Sequence, residues 1–275
     1  MPGLHTHEKY VFGRSAKESE RLLTKVTQNT MIHPTISKEG IHAVADIATG
    51  TGIWLKDVSK FLEPESQGSV YYHGFDISSQ QFPKQQENIE FSVHDITKPF
   101  PEEHHNRYDL VHVRLLIAAI DKDDYRASIE NVHAILKPGG HLQWEEIDEE
   151  TYVAPDNPVI AELYRVFNTA MESEGKCFQM SEKIFEECTA AGWQDVQRIV
   201  YSSDWDPSLL KEGEDRLVNV IETLYASFLL RSGEVDTDEA AHSKTVELVK
   251  QYRELCAAGN SQPWKLIRVI AQKPN

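Results

Sequence analysis

Three carboxylates sit where three short apolar runs end: Asp46 at the close of residues 41–47, Asp76 in 70–77, and Asp95 just after 89–93. Between the first two lies a string of small residues, Ala48-Thr49-Gly50-Thr51-Gly52. Glycines let a backbone approach a ligand closely, and a helix starting there offers unpaired N–H groups. Carboxylates around such a loop accept from hydroxyls and amines and attract cations. Groups able to hold or move a proton come later, at His112, Arg114, Glu145 and Glu146. Imidazole titrates near neutrality, and a carboxylate beside a desolvated pocket can act as a base or orient an amine.

The elements that must position these groups follow from periodicity. Residues 41–47 predict a short buried parallel strand. After the small-residue loop, Ile53, Trp54, Leu55, Val58, Phe61 and Leu62 recur at helical spacing. Residues 70–77, 89–93 and 108–113 predict three more strands, with at most a short helical turn at 80–88. Asp121 to Asp124 supplies a helix start, and Tyr125, Ile129, Val132 and Leu136 give the buried face. Lys137-Pro138-Gly139-Gly140 stops that helix, and residues 141–147 form the fifth strand. In open α/β sheets a ligand lies beyond the carboxyl ends of the strands. The loop, Asp76-Ile77, Asp95-Ile96, Val113-Arg114 and Glu145-Glu146 all fall at such ends.

No Gly-Lys-Ser/Thr follows the loop, which argues against a phosphate-wrapping P-loop, and the full Gly-x-Gly-x-x-Gly dinucleotide fingerprint is missing. A carboxylate at Asp46 suits an ammonium group and poorly suits a pyrophosphate. That points to S-adenosylmethionine (SAM), whose amino-acid end is zwitterionic and whose sulfonium is cationic. Asp76 lies about 24 residues past Gly52, near the spacing at which an acid takes ribose hydroxyls. Asp95 can accept from the adenine amino group, and Ile96 can pack on the ring. Each acid alone reads as readily as a helix cap or loop residue; acids ending three successive strands are hard to produce by capping alone.

Five segments carry a family resemblance: 10–15 (YVFGRS), 45–55 (ADIATGTGIWL), 74–78 (GFDIS), 108–116 (YDLVHVRLL) and 136–146 (LKPGGHLQWEE). With them the chain resembles the class I SAM-dependent methyltransferases, and is similar to the fungal small-molecule group of secondary metabolism that includes the gliotoxin-pathway N-methyltransferase type. The strongest part spans 41 to about 150. The resemblance implies a Rossmann-like, doubly wound α/β fold whose seven-stranded sheet has its last strand, about 265–271, antiparallel between the fifth and sixth. It implies SAM as cofactor and S-adenosylhomocysteine as product. Asp46, Ala48, Thr49, Gly50 and Gly52 would hold the methionine end, Asp76 and Ile77 the ribose side, Asp95 and Ile96 the adenine, with Val113 and Arg114 completing the cofactor set. One departure stands out: the first glycine of the usual Gly-x-Gly-x-Gly is Ala48, tolerable if that residue keeps φ below zero.

Residues 1–40 are expected to form an N-terminal helical cover. Ser15-Ala16-Lys17-Glu18 is a capping box, and Leu22, Leu23 and Val26 suggest a helix to about Thr30. By the resemblance this segment folds over the cofactor with Tyr10 and Arg14, and Gln28 is a third candidate; alternatively the helix only packs on the sheet edge. Residues 41–150 form the SAM-binding core. Residues 151–275 supply the remaining strands, including 196–201, and helical lid insertions at about 151–180 and 207–260. The lids line an acceptor pocket, form a homodimer face, or simply pack on each other.

Methyl transfer is an in-line displacement from a good leaving group, so alignment supplies much of its catalysis, and a base is needed only where the acceptor must lose a proton. His112 is one candidate base and otherwise a structural histidine inside an apolar strand. Arg114 anchors the SAM carboxylate or an acidic acceptor, or pairs with a lid carboxylate. Glu145 and Glu146 alternate faces, so at most one points into the site; capping or a salt bridge is the alternative. The pairs His5/His7 and His104/His105 have no Cys or carboxylate at ligand spacing, and no metal is expected.

The chain has 275 residues, room for one α/β domain with elaborations. Its net charge of -16 repels nucleic-acid phosphate, and no basic stripe overrides it. Cys177, Cys188 and Cys256 are widely spaced, as expected of reduced thiols. No apolar run approaches the length of a membrane span, and the opening residues lack a signal-peptide pattern, so a cytoplasmic location is expected. The functional expectation is methyl transfer to O, N or S of a small natural product. The alternatives are a SAM-binding regulatory or interaction protein and a non-methylating, pericyclase-like enzyme on the same fold.

Overall fold

The structure is a computed structural model and describes residues 24–62, 69–84, 88–147, 157–176 and 179–275. Seven strands form one sheet: β1 (Ala43–Ile47), β2 (Tyr71–Asp76), β3 (Ile89–Val93), β4 (Tyr108–Arg114), β5 (Leu136–Ile147), β6 (Gln194–Ser202) and β7 (Lys265–Gln272). Their order is β3-β2-β1-β4-β5-β7-β6. Strands β1 to β5 pair in parallel, while β7 runs antiparallel to both β5 and β6, as expected from the resemblance. Strand order reverses between β1 and β4, so the crevice that such sheets use for ligands opens there.

Continuous apolar runs make the central strands bury both faces; all five residues of β1 are buried. On one face α2 (Tyr125–Ile135) and α4 (Met180–Ala190) press Ile129, Val132 and Ile184 against Val111, Trp144 and Val269. On the other, α1 (Ile53–Leu62) and the segment around Ile32 and Ile36 cover Val44, Leu110 and Ile270. Three further helices, α3 (Pro158–Ser173), α5 (Pro207–Arg231) and α6 (Asp238–Ala257), form a cluster of their own through Leu163, Ile221, Leu229 and Tyr252. Asn157, Asp206 and Thr237 cap their N-termini by accepting backbone N–H bonds. Among the described residues no helix is long and apolar enough to cross a membrane.

Three expectations need correction. The fifth strand begins at Leu136, not His141. Tyr108 pairs with Leu136 and Leu110 already with His141, so residues 137–140 bulge out opposite Asp109. Asp109 explains the bulge: it accepts Lys137 Nζ at 2.8 and 2.9 Å and clamps the start of β1 through the N–H groups of His42 and Ala43. The continuation of β4 past Arg114 is broken at once, because Leu115 turns to φ 56°. Ala48 does not keep φ below zero; it sits at 58°, with Gly50 at 54° and Gly52 at 70°. Tyr10, Arg14, the capping box and Cys177 lie outside the described residues, and the described part of the N-terminal helix is 24–26.

Candidate functional site

The alternation of left-handed residues after β1 throws the chain sideways and lets α1 start at Ile53, its N-terminus facing the β1–β4 crevice. The loop is pinned from below. Thr49 N donates to the Phe75 carbonyl at 2.9 Å, and Gly50 N donates to Asp76 Oδ2 at 2.9 Å. Asp76 Oδ1 also accepts from Ser78 N at 3.1 Å. Gly74 must be glycine: a Cβ there would lie 2.8 Å from the Thr49 methyl and from the Phe91 ring. At the end of β3, Asp95 is half-buried and binds Thr97 through Oδ1 alone. Ile77 is 57% exposed beside it in the sheet order, whereas Ile96 is packed into the core rather than open to a ring. Ile96, expected on the adenine ring, is thus packed away, and the exposed apolar residue at these strand ends is Ile77.

Asp46 is buried and already engaged. Its Oδ2 accepts Thr49 Oγ1 at 2.6 Å, and its Oδ1 lies 2.7 Å from His112 Nδ1. A carboxylate only accepts, so the imidazole proton sits on Nδ1. The His112 ring is fully buried and stacks on Trp54, with centroids 3.7 Å apart and planes 4° from parallel. Its Nε2 lies 3.8 Å from Glu145 Oε2 and has no hydrogen-bond partner. Glu145 in turn takes Arg268 Nη2 at 2.6 Å and Nε at 2.8 Å, with Gln143 Nε2 at 3.1 Å. Burial pushes the Glu145 carboxyl up, but Arg268, His112 and Arg114 outweigh it and hold the group far below the usual carboxylate range. Asp46, His112 and Glu145, together with Arg268, thus form one buried polar chain across β1, β4, β5 and β7, with neither imidazole nor carboxylate open at the strand ends.

Glu146 points to the opposite face, as alternation requires. It accepts Trp144 Nε1 at 2.9 Å and the N–H groups of Leu116 at 2.8 Å and Ile117 at 3.3 Å. Burial raises its pKa to about 7, against those three donors, which favour the charged form. These bonds fasten the turn that Leu115 begins. Ala48 and Leu115 are both non-glycine residues in the left-handed region, one at each wall of the crevice. Side chains there cost about 1–2 kcal/mol each, and such strain concentrates at functional positions. Val113 is buried inside β4, and Arg114 is half-buried at its end, opposite Glu145. Among the described residues no cluster of His, Cys, Asp or Glu could hold a metal ion.

The sequence reading missed Arg268, Gln143, Trp54 and Leu115. A single charged residue inside the apolar run Leu266-Ile267-Arg268-Val269-Ile270 was the available signal, since a buried guanidinium needs a buried acid.

Comparison with known proteins bears on this geometry. Residues 44–140, which carry β1 through the start of β5, match the family model described as a methyltransferase domain. The chain is 35% identical over 160 residues to "Methyltransferase grgD" of a Penicillium species, 56% of each chain. It is 37% identical over 105 residues to "N-methyltransferase gliN" of Aspergillus fumigatus, 38% of this chain and 36% of that one. The chain thus spans about half, or less, of the length of these curated relatives. A longer alignment, 25% identical over 285 residues, covers 97% of this chain and 79% of "Secondary metabolism regulator LAE1" of Hypocrea atroviridis. Among solved structures, phosphoethanolamine N-methyltransferase 2 of Haemonchus contortus, bound to phosphomonomethylethanolamine and S-adenosylhomocysteine, superposes over 97% of this chain and 56% of its own with TM-score 0.54 at 16% identity. The cyclopropane synthase MmaA2 of Mycobacterium tuberculosis does so over 97% and 90%, with TM-score 0.51 at 15% identity. These likenesses establish the fold: a Rossmann-like seven-stranded sheet whose β7 is antiparallel.

Proposed function

We propose that the chain binds SAM at the β1–β4 crevice and transfers its methyl group to O, N or S of a small natural product. The observation that carries this reading is the loop itself: Ala48-Thr49-Gly50-Thr51-Gly52 leaves β1 with three left-handed residues and is tied through Gly50 N to Asp76 at the end of the next strand. Two backbone bonds fix the Asp76 carboxylate at the strand end, where a ribose hydroxyl would donate to it. The loop and the start of α1 hold the methionine end, and Ile77 and Asp95 flank the adenine. SAM supplies an electrophilic methyl group on a cationic sulfur. What this chain adds is orientation, exclusion of water, and fixed charge under the loop.

Glu145, Glu146 and His112 serve as positioning groups rather than bases, since Glu145 and Glu146 are engaged by Arg268 and backbone N–H groups, and His112 is fully buried with its Nδ1 bound to Asp46. Alignment of acceptor and sulfonium is then the main source of rate. The net charge of -16 supports a small-molecule acceptor over nucleic acid. A second reading, a SAM-binding regulator, is favoured by one observation, the alignment with LAE1 along nearly the whole chain. Calorimetric titration with SAM and S-adenosylhomocysteine tests the first step. Micromolar binding that Asp76→Ala abolishes is expected, and its absence in folded wild type would overturn both readings. Appearance of S-adenosylhomocysteine with a methylated acceptor then separates enzyme from regulator.

A further inference from the structure

The charge chain beneath the loop does not end at Glu145. Arg268 makes two further bonds: Nη2 donates also to the Thr30 carbonyl at 2.7 Å, and Nη1 donates to Tyr201 Oη at 3.2 Å. Gln143, fully buried beside it, donates to the Met31 carbonyl at 2.9 Å and accepts from His33 N at 3.0 Å. Both residues therefore hold the same short stretch of backbone, where the N-terminal segment joins the sheet. That stretch is conformationally unusual. Gln28 and Asn29 are consecutive left-handed residues, at φ 54° and 59°. They form a sharp turn between the buried Val26-Thr27 pair and the tethered carbonyls of Thr30 and Met31. At the other end of the same chain of contacts, Asp46 fixes Thr49 of the glycine loop.

We infer that Arg268, with Gln143, is the positioning residue that sets the N-terminal segment and the glycine loop in register, through Glu145, His112 and Asp46. This inference rests on the SAM-binding reading above. The links run from Thr30 to Arg268, a part-buried bond, and then through the interior from Arg268 to Glu145, Glu145 to His112, His112 to Asp46 and Asp46 to Thr49. The weakest is the 3.8 Å approach of His112 Nε2 to Glu145 Oε2, held by the stack of His112 on Trp54 and by the β4–β5 pairing of His112 with Gln143. Buried groups of this kind have few alternative arrangements, because any displacement leaves a polar atom unpaired in a dry interior. Movement of the 28–33 turn is therefore felt at Asp46, and a ligand that loads Asp46 and the loop stiffens the turn. The antiparallel strand β7, which carries no loop of the cofactor site, acquires a direct role in it.

The test is a mutant cycle read by calorimetry with S-adenosylhomocysteine, using Arg268→Gln, Gln143→Met, Asp46→Asn and the Arg268→Gln/Asp46→Asn double variant, each checked for a cooperative unfolding transition. Gln143→Met keeps the Arg268–Glu145 ion pair and severs the ties to Met31 and His33 together with the single bond to Glu145 Oε1, so it decides the matter where Arg268→Gln fails to fold. Expected are at least tenfold weaker binding for Arg268→Gln, about threefold to tenfold weaker for Gln143→Met, and a double variant weakened by less than the product of the singles. Protease cleavage within residues 24–33 should also be slowed by S-adenosylhomocysteine in wild type and hardly at all in Gln143→Met. A purely structural role would lower the unfolding midpoint and leave affinity, non-additivity and ligand protection as in wild type; that result overturns the inference. Failure of wild type to bind S-adenosylhomocysteine instead overturns the cofactor reading on which it stands.

Discussion

Two buried regions of this molecule are held by different physics. Beneath the crevice, Asp46, His112, Gln143, Glu145 and Arg268 form a polar chain assembled from four strands, all 3% exposed or less. In the helical body of α3, α5 and α6 the interior is apolar, built from Leu163, Ile221, Phe228, Leu229 and Leu248. Hydrophobic packing is non-directional and tolerates rearrangement, whereas a buried ion pair is stable only in one geometry. A region that must present a loop in a single shape uses the second; a body of helices packed on one another uses the first.

The largest expected effect strikes the polar chain. Glu145→Gln leaves Arg268 charged and unpaired in the core, and should cost about 3–5 kcal/mol in a urea titration. A loss under 1 kcal/mol would mean that the chain is not the rigid element described. In the helical body, Leu229→Ala should cost about 3 kcal/mol through its cavity. Affinity for S-adenosylhomocysteine should stay within twofold, and a tenfold fall would erase the contrast between the regions.

A third buried group sharpens the comparison by pH. His73, packed on Phe75 and hydrogen-bonded to Tyr71 and Ser92, has its pKa lowered to about 4, first by burial and then by His104. The unfolded chain takes up this proton near pH 6.5 and the folded chain only near 4. The stabilisation is complete above 6.5 and is lost as pH falls towards 4, on the order of 3 kcal/mol. Stability measured across that window should lose most of this slope in His73→Gln.

Smaller effects concern the loop. Gly74→Ala forces the Thr49 methyl or Phe91 to move and should cost about 2 kcal/mol, with weaker S-adenosylhomocysteine binding. Ala48→Gly removes a side chain from a left-handed residue and should stabilise by about 1 kcal/mol, seen as a raised unfolding midpoint.

Much of the sheet was legible from local pattern. Apolar runs gave the strands, helical spacing gave α1 and α2, and α3, α5 and α6 fall within the regions expected to be helical insertions. The bulge at 137–140 was not legible, because Lys137-Pro138-Gly139-Gly140 carries every local signal of a helix stop, and only Asp109 across the sheet draws it into a strand. Of the site, the acids at 46, 76 and 95 were visible as types at strand ends. Their partners were not: Glu145 and Arg268 are 123 residues apart and share no motif.

The sequence by itself determined the order of strands and helices, the glycine loop, and the acidic residues beside it, because these depend on interactions within one element or between neighbours. Only the tertiary structure decided that Ala48 and Leu115 adopt left-handed backbone, that His112 and Glu145 spend their polar atoms inside the core, and that Arg268 ties β7 to the N-terminal turn. Those outcomes are fixed by burial, which makes each polar atom find a partner wherever the fold has brought one within reach.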